Sequence, residues 1–318
     1  MPAEQDFAKF GLPFWLHLPR PSFSTLDRNM TADAVVIGAG IAGLKIAHCL
    51  AQHRIDTVIL EAGRAGDGAS SRNQGSINHG PALSYQTCIK RHSRDIARQL
   101  WQMGLENHRL LKAQIDEYEI QCDYQIDGMT SLARRDFSDC QHLADSYRIE
   151  SELLREDGFD VTLLDEHQAI ESGGSPLFAA GLRYESDSQF HSGKFVLGLA
   201  EGVARSPHVE LFEHARVDSI ESTAGMTVIK TDRHTIETPR VFLSTNALVP
   251  QFIPDLARPL RAERGQVFVT EPLDQRPCQG SFGTRMAWWR EILEPDGRFR
   301  LLFGGGRERN EPDSLFAQ

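Results

Sequence analysis

Residues 33–61 read D-A-V-V-I-G-A-G-I-A-G-L-K-I-A-H-C-L-A-Q-H-R-I-D-T-V-I-L-E, the stretch that most restricts what this chain can fold into. Ala34, Val35, Val36 and Ile37 form an unbroken apolar run, the pattern of a parallel strand covered on both faces. Gly38, Gly40 and Gly43 fill the glycine positions of G-x-G-x-x-G, with Ala39, Ile41 and Ala42 between them. The first glycine permits a tight turn, the second leaves room for a pyrophosphate, and the third lets a helix pack close to the sheet. The helix from Ile41 to about His53 aims free N–H groups and its dipole at the phosphates. Thr57 to Leu60 form a second strand, and Glu61 ends it about 20 residues beyond the glycines, where its carboxylate can accept from ribose hydroxyls. A glycine-rich turn in an unrelated α/β unit would leave the position of Glu61 unexplained. An acid there also disfavours a 2′-phosphate, so NADP is the least suited dinucleotide.

The next segment, A-G-R-A-G-D-G-A-S-S-R-N-Q-G-S-I-N-H-G, separates FAD from NAD. An NAD dehydrogenase continues with further β-α units, whereas here a loop of small and polar residues runs from Gly63 to Gly75. Ala62, Arg64, Ser70, Ser71, Arg72, Asn73 and Gln74 can lie along an extended cofactor. Gly68 to Gly75 resembles the G-A-S-G-R-N-x-G signature of the D-amino-acid-oxidase-like (DAO) family of FAD-dependent oxidoreductases. Its γ-glutamylputrescine-oxidase-like and D-amino-acid-dehydrogenase-like branches are the most similar. Ser71 stands where glycine is usual, which matters only if that position requires a positive φ.

Other stretches are similar to the same family. Phe14-Trp15 resembles its aromatic leading segment, and Phe190-His191-Ser192-Gly193-Lys194 the start of a helix that returns to the FAD domain. Ala215-Arg216-Val217 resembles a strand whose backbone meets the adenine. Leu243-Ser244-Thr245-Asn246-Ala247 resembles a turn beneath the FAD. Arg264-Gly265-Gln266-Val267, Thr270-Glu271-Pro272-Leu273 and Leu302-Phe303-Gly304-Gly305-Gly306-Arg307 resemble two later strands. The resemblance implies FAD as cofactor, with Val217, Thr245 and Asn246 among the residues around it.

The order of these motifs implies an α/β chain in which a Rossmann-like FAD-binding domain is interleaved with an α+β substrate domain on a larger antiparallel or mixed sheet. The expected bounds are an arm over 1–29, FAD-binding segments 30–85 and 186–250, and substrate segments 86–185 and 251–318. Periodicity predicts one helical stretch from Tyr85 to Tyr118, a helix from Cys140 to Glu156 and another from Lys194 to Ala204. It also predicts strands at Met129–Ala133, Val161–Leu164 and Val209–Phe212, a small antiparallel meander over 217–237, and a strand from Val241. Strands at Gln266–Thr270, Arg285–Arg290 and Phe299–Phe303 follow.

The chain ends at Gln318, soon after the last of these motifs, whereas family members continue with a segment that returns to the FAD domain. The sequence therefore reads as a member cut short. Beside an active FAD-dependent oxidoreductase, the alternative is a truncated, non-catalytic FAD-binding fragment, or one subunit of a split oxidoreductase with a complementing C-terminal fragment.

A net charge of −10 argues against nucleic acid as a partner. Cys49, Cys88, Cys122, Cys140 and Cys278 are odd in number and include no C-x-x-C, which reads as reduced thiols of a cytoplasmic protein. No apolar run approaches the roughly 18 residues of a membrane span. Peripheral contact with a membrane quinone pool stays open.

The chemistry implied by the resemblance is oxidation of a small-molecule amine or amino acid by hydride transfer to flavin, with oxygen or a quinone as electron acceptor. No catalytic residue is assigned. His79 after the flavin-side loop, His191 at a helix start, Arg264 and Gln266 on a strand flooring the substrate site, and Trp288 or Trp289 as an aromatic wall are candidates. Each has a plainer alternative in solvent exposure, capping or core packing. Lys90, Arg91, Arg94 and Arg98 can meet an acidic substrate but read more simply as a solvated helix face. Histidines occur without H-x-x-x-H or clustered acids, so no metal site is expected. No G-x-S-x-G supports hydrolase chemistry.

Overall fold

The computed structural model describes residues 12–81, 83–223, 225–260 and 265–305. A wholly parallel four-stranded sheet runs in the order Val209–Phe212, Thr57–Leu60, Ala34–Ile37, Val241–Leu243. The Ile41–Gln52 helix connects its two central strands. Every residue of those two strands is buried, and alternation sends neighbours to opposite faces. Val36 and Ile59 join Leu44 and Ala47 of that helix and Phe195, Leu199 and Val203 of the Ser192–Ala204 helix. Val35, Ile37, Val58 and Leu60 pack instead with Val217, Ile229 and Ile236. These last three lie in a second sheet, where Val217–Thr223, Met226–Thr231 and Thr235–Thr238 run antiparallel and Met30–Thr31 adds in parallel. Cover on both faces is why the central strands read as apolar runs rather than alternations.

A seven-stranded sheet has the order Gln266–Val269, Phe299–Gly305, Ala287–Leu293, Ser281–Gly283, Met129–Arg134, Phe178–Tyr184, Val161–Leu164. It is antiparallel except where Ser281–Gly283 meets Met129–Arg134. Phe282, Trp289, Phe303 and Phe268 are successive cross-strand partners on four adjacent strands. Their rings stack at 5.5, 6.2 and 5.2 Å, and each such pair adds roughly 0.5–1.5 kcal/mol beyond its burial. The ladder runs from Phe282, fully buried, to Phe268, 58% exposed, so its stabilising contribution is concentrated at the inner end. A three-stranded sheet of Ser76–Ile77, Ser188–Gln189 and Gln125–Ile126 carries the chain on from Gly75.

Two expectations are corrected here. The single helical stretch is two helices, Tyr85–Arg91 and Arg94–Glu117. The Ser93 hydroxyl accepts the Ile96 amide and begins the second helix afresh, so the break comes from a serine cap with no glycine or proline to announce it. The strand expected from Arg285 begins instead at Ala287 and continues to Leu293. Several elements lie outside the periodicity reading, among them the two-residue strands Met30–Thr31, Ser76–Ile77, Gln125–Ile126 and Ser188–Gln189. The Glu166–Gly173 helix opens with a reciprocal Asp165–Gln168 capping box, and the strands Phe178–Tyr184 and Ser281–Gly283 complete the large sheet.

Candidate functional site

Gly38, Glu61 and Ser244 each follow the carboxyl end of a parallel strand, the edge at which open parallel sheets take their ligands. Gly38 has φ +106°, and a side chain there would fall 2.8 Å from the Ser244 carbonyl oxygen. A side chain on Gly43 would fall 1.9 Å from the Gly38 carbonyl oxygen, so the helix rests directly on the turn. Gly40 differs. Its missing side chain faces only the Ser70 hydroxyl, 2.9 Å from the Cβ position.

Ala39 donates its amide to Glu61 Oε2 at 2.8 Å, and Gly63 donates to Oε1 at 2.9 Å. Burial raises the Glu61 carboxyl above its ordinary pKa, opposed by these two amides. Each oxygen keeps a further lone pair for a ribose hydroxyl. The Ser70 hydroxyl accepts the Ile41 amide at 2.9 Å. Ala42 and Gly43 lie in the first helical turn, where N–H groups have no partner within the helix.

The loop that follows is held in shape by its own polar side chains. Ser71 lies in the short 3-10 turn Ala69–Ser71, donates to the Gly66 carbonyl at 2.7 Å, and has no positive φ. Serine at this usual glycine position therefore carries no backbone strain. Arg72 donates to the Asp67 carbonyl at 3.1 Å. Asn73 Oδ1 accepts the Gly75 amide and the Ser192 hydroxyl, both at 2.7 Å, while Nδ2 donates to the carbonyls of Ala69 and Ser70. Gln74 reaches out to the Ser281 hydroxyl of the seven-stranded sheet at 2.9 Å. Ala62 is exposed, and Arg64 turns to the Pro21 carbonyl at 2.8 Å.

Val217 is brought towards the same edge because the Ala215 amide donates to the Glu61 carbonyl at 2.8 Å, and its side chain is buried between the two sheets. Asn246 takes φ +50°, a left-handed conformation asparagine tolerates. Thr245 Oγ1 is buried and has no hydrogen-bond partner among the described residues. Such an atom normally has one.

Sequence reasoning missed Glu213 and Asp67. Glu213 accepts the amides of Ala65 at 2.8 Å and Phe23 at 3.2 Å, tying the N-terminal arm to the cofactor-side loop. Asp67 accepts from Arg20 and the Arg64 amide at 2.8 and 2.9 Å. The available signal for Glu213 was its place directly after an apolar strand, the position Glu61 has after its own.

Several of the other candidates have structural partners. His79 bonds Asp187 at 2.8 Å and stacks on Tyr184 at 3.6 Å, beside Trp101 in the helical core. His191 caps its helix by accepting the Lys194 amide, and burial pushes its imidazole down to about 4. Trp289 sits within the aromatic ladder, and Trp288 covers Gly304. Arg94 pairs with Glu156 and Asp157, Arg98 with Asp95, and Lys90 and Arg91 are exposed. Gln266 is exposed. Arg264, Gly306 and Arg307 lie outside the described residues. Among the described residues no His, Cys, Asp and Glu side chains group to hold a metal, and no helix is long and apolar enough to cross a membrane.

Residues 33–317 match the family model described as DAO, FAD dependent oxidoreductase. The chain belongs to this FAD-dependent oxidoreductase family. It is 30% identical to the probable oxidoreductase OrdL of Haemophilus influenzae and 28% identical to gamma-glutamylputrescine oxidoreductase of Escherichia coli. Each match covers 89% of this chain, which spans 66% of the length of either relative. Among solved structures, glycine oxidase from Geobacillus kaustophilus aligns with a TM-score of 0.65 at 20% identity, covering 86% of this chain and 70% of that one. L-proline dehydrogenase from P. horikoshii aligns at 0.66 and 17% identity, covering 91% and 74%. At such identities the likeness speaks for the fold, which is the mixed α/β arrangement expected from the motif order.

Proposed function

We propose that the family's FAD lies along the carboxyl edge of the parallel sheet and that the protein oxidises the C–N bond of a small amine or amino acid. The observation that carries this reading is the convergence of the Gly38 turn, the Glu61 carboxylate and the unpartnered Thr245 hydroxyl at one edge. The residues fit the cofactor. The first helical turn offers amides to phosphate, Glu61 offers lone pairs to ribose hydroxyls, and a buried Thr245 hydroxyl lacks, among the described residues, a partner that a polar ring edge would provide. When bound, FAD supplies a hydride acceptor. This chain's residues bind it, hold it against the sheet and exclude water. Gly38 and Gly43 set the turn, Asn73 and Gln74 brace the loop, and Ser244 to Asn246 close the far side. The names gamma-glutamylputrescine oxidoreductase, glycine oxidase and L-proline dehydrogenase support an amine or amino-acid substrate. The bounds of a cofactor domain over 30–85 and 186–250 are part of the same proposal. So is a cytoplasmic location, where the five free thiols stay reduced.

A visible absorption spectrum of the purified protein, repeated on the supernatant after heat denaturation, tests the cofactor. Flavin bands released to the supernatant are expected, followed by bleaching when amines or amino acids are added without oxygen. A protein that stays colourless with added FAD overturns the reading. Reoxidation by oxygen or by a quinone then identifies the electron acceptor.

A further inference from the structure

Arg290 lies on the Ala287–Leu293 strand and is 6% exposed. Burial pushes its guanidinium down to about 10. Among the described residues, however, its hydrogen bonds all end on main-chain carbonyls rather than on a carboxylate. Nε donates to the Glu291 carbonyl at 3.3 Å. Nη1 faces three carbonyls at once: Gln74 at 3.3 Å, Gly75 at 3.2 Å and Phe190 at 3.1 Å. The guanidinium also lies 5.5 Å from the centre of the Trp15 ring, whose Nε1 donates to the Asn73 carbonyl at 2.8 Å. Four distant segments thus meet at one side chain. They are the N-terminal arm, the 73–75 turn, the residues leading into the Ser192–Ala204 helix, and the seven-stranded sheet.

The turn is closed from both sides. Gly75 has φ +75°, and a side chain on it would fall 2.3 Å from the Phe190 carbonyl oxygen and 3.1 Å from Arg290 Nη1. The Phe190 amide donates to the Gly75 carbonyl at 2.8 Å. A buried charge is costly unless its donors are satisfied, and an apolar side chain would fill a core with less desolvation. What the guanidinium provides that an apolar residue cannot is donors to three carbonyls of two segments.

We infer that Arg290 is a positioning residue: it fixes the 73–75 turn against the seven-stranded sheet and so sets how a cofactor held by that turn faces whatever the sheet holds. The functional half of this inference rests on the FAD reading above. The anchoring of the turn rests on the contacts alone.

Amide hydrogen exchange on the FAD-free protein reads the anchoring, and FAD titration followed by flavin fluorescence reads its consequence. Arg290→Met keeps a long side chain and removes the donors. Arg290→Lys places an ammonium with three donors before the three carbonyls. In Arg290→Met, exchange at the Gly75 and Phe190 amides should rise about tenfold, equivalent to roughly 1.4 kcal/mol, while Val35 to Ile37 stay unchanged. The FAD dissociation constant should rise by a similar factor, and Arg290→Lys should recover most of both effects. Unchanged exchange in Arg290→Met overturns the anchoring, as does a lysine variant no better than methionine. Loosened amides with unaltered FAD affinity overturn the functional half. A wild-type protein that binds no FAD overturns the cofactor reading and that half with it, and exchange still decides the anchoring. If Arg290→Met fails to fold, Arg290→Gln takes its place. Should both fail to fold, exchange in Arg290→Lys decides: Gly75 and Phe190 amides protected as in the wild type support the anchoring, whereas exchange raised equally at Val35 to Ile37 makes Arg290 a general core residue and overturns it.

Discussion

The amide of Ala39, in the glycine turn, donates to the carboxylate of Glu61 at 2.8 Å, while the other carboxylate oxygen accepts the Gly63 amide at 2.9 Å. The residue expected to recognise a ribose therefore also ties the turn to the loop after the second strand. Glu61→Gln leaves one oxygen for two amide donors and sets an NH₂ group against the other. A loss of about 1–3 kcal/mol of stability is expected, as for an unsatisfied buried donor. Chemical denaturation measures it, and FAD titration should show weaker binding in the same variant. Unchanged stability would mean the two amide contacts contribute nothing.

Gly43→Ala should be more damaging than an ordinary glycine-to-alanine change within a helix, which on propensity alone is stabilising. The new methyl would fall 1.9 Å from the Gly38 carbonyl oxygen and 3.1 Å from Val36 Cγ1. Relief requires the helix to lift from the sheet, at a cost of about 1–3 kcal/mol. The denaturation midpoint should fall and the helix start should move away from the turn. A stabilised variant would refute the close approach.

The His191 imidazole is held down to about 4 by burial, with Lys194 adding to the effect, against an ordinary value of 6.5. Between these values the unfolded chain binds a proton that the folded chain refuses. Stability contributed by this group therefore rises with pH from about 4 to 6.5 and is level above, with a limiting slope of about 1.4 kcal/mol per pH unit for one proton. His191→Asn keeps an acceptor for the Lys194 amide and removes the titration. Thermal unfolding of the variant should show a shallower dependence across that window. An identical pH profile would place the dependence elsewhere.

Thiol reactivity should divide the cysteines by environment. Cys49 is exposed and Cys140 half-buried, whereas Cys88, Cys122 and Cys278 are buried. Burial pushes Cys122 up to about 11 and Cys278 up to about 12, so little thiolate forms at neutral pH. In the native protein a disulfide reagent should label Cys49 first and Cys140 more slowly. The remaining three should appear only on unfolding. Rapid labelling of Cys122 or Cys278 would show that their surroundings open in solution.

Trp289→Ala should destabilise the protein by about 3–5 kcal/mol, the usual cost of removing a buried large aromatic. Trp289 stacks on Phe178, Phe282 and Phe303, and it links the buried end of the cross-strand ladder to the exposed end. Phe268→Ala, at the 58% exposed end, should cost far less. Comparable losses for the two would mean that the outer end is covered in solution.

The sequence by itself determined the parallel sheet and the glycine turn. Ala34–Ile37 and Thr57–Leu60 are legible because two-sided burial favours runs of apolar residues, and the edge strand Val209–Phe212 is legible despite its exposed Glu210 because its other three residues are apolar and buried. Gly38 and Gly43 are legible because a positive φ and a close helix approach admit only glycine, and the motif around Gly68 to Gly75 carried the family. The tertiary structure alone decided what those residues touch. Gly75 meets Arg290 across 215 residues of chain, and Ser70 caps a helix 29 residues before it. Glu213 ties the arm to the Arg64–Ala65 turn, and the Tyr85-to-Tyr118 stretch divides at Ser93. Local propensity and spacing reflect interactions within a few residues along the chain. Hydrogen bonds between distant segments, and the burial of a guanidinium among carbonyls, exist only once the sheets have packed.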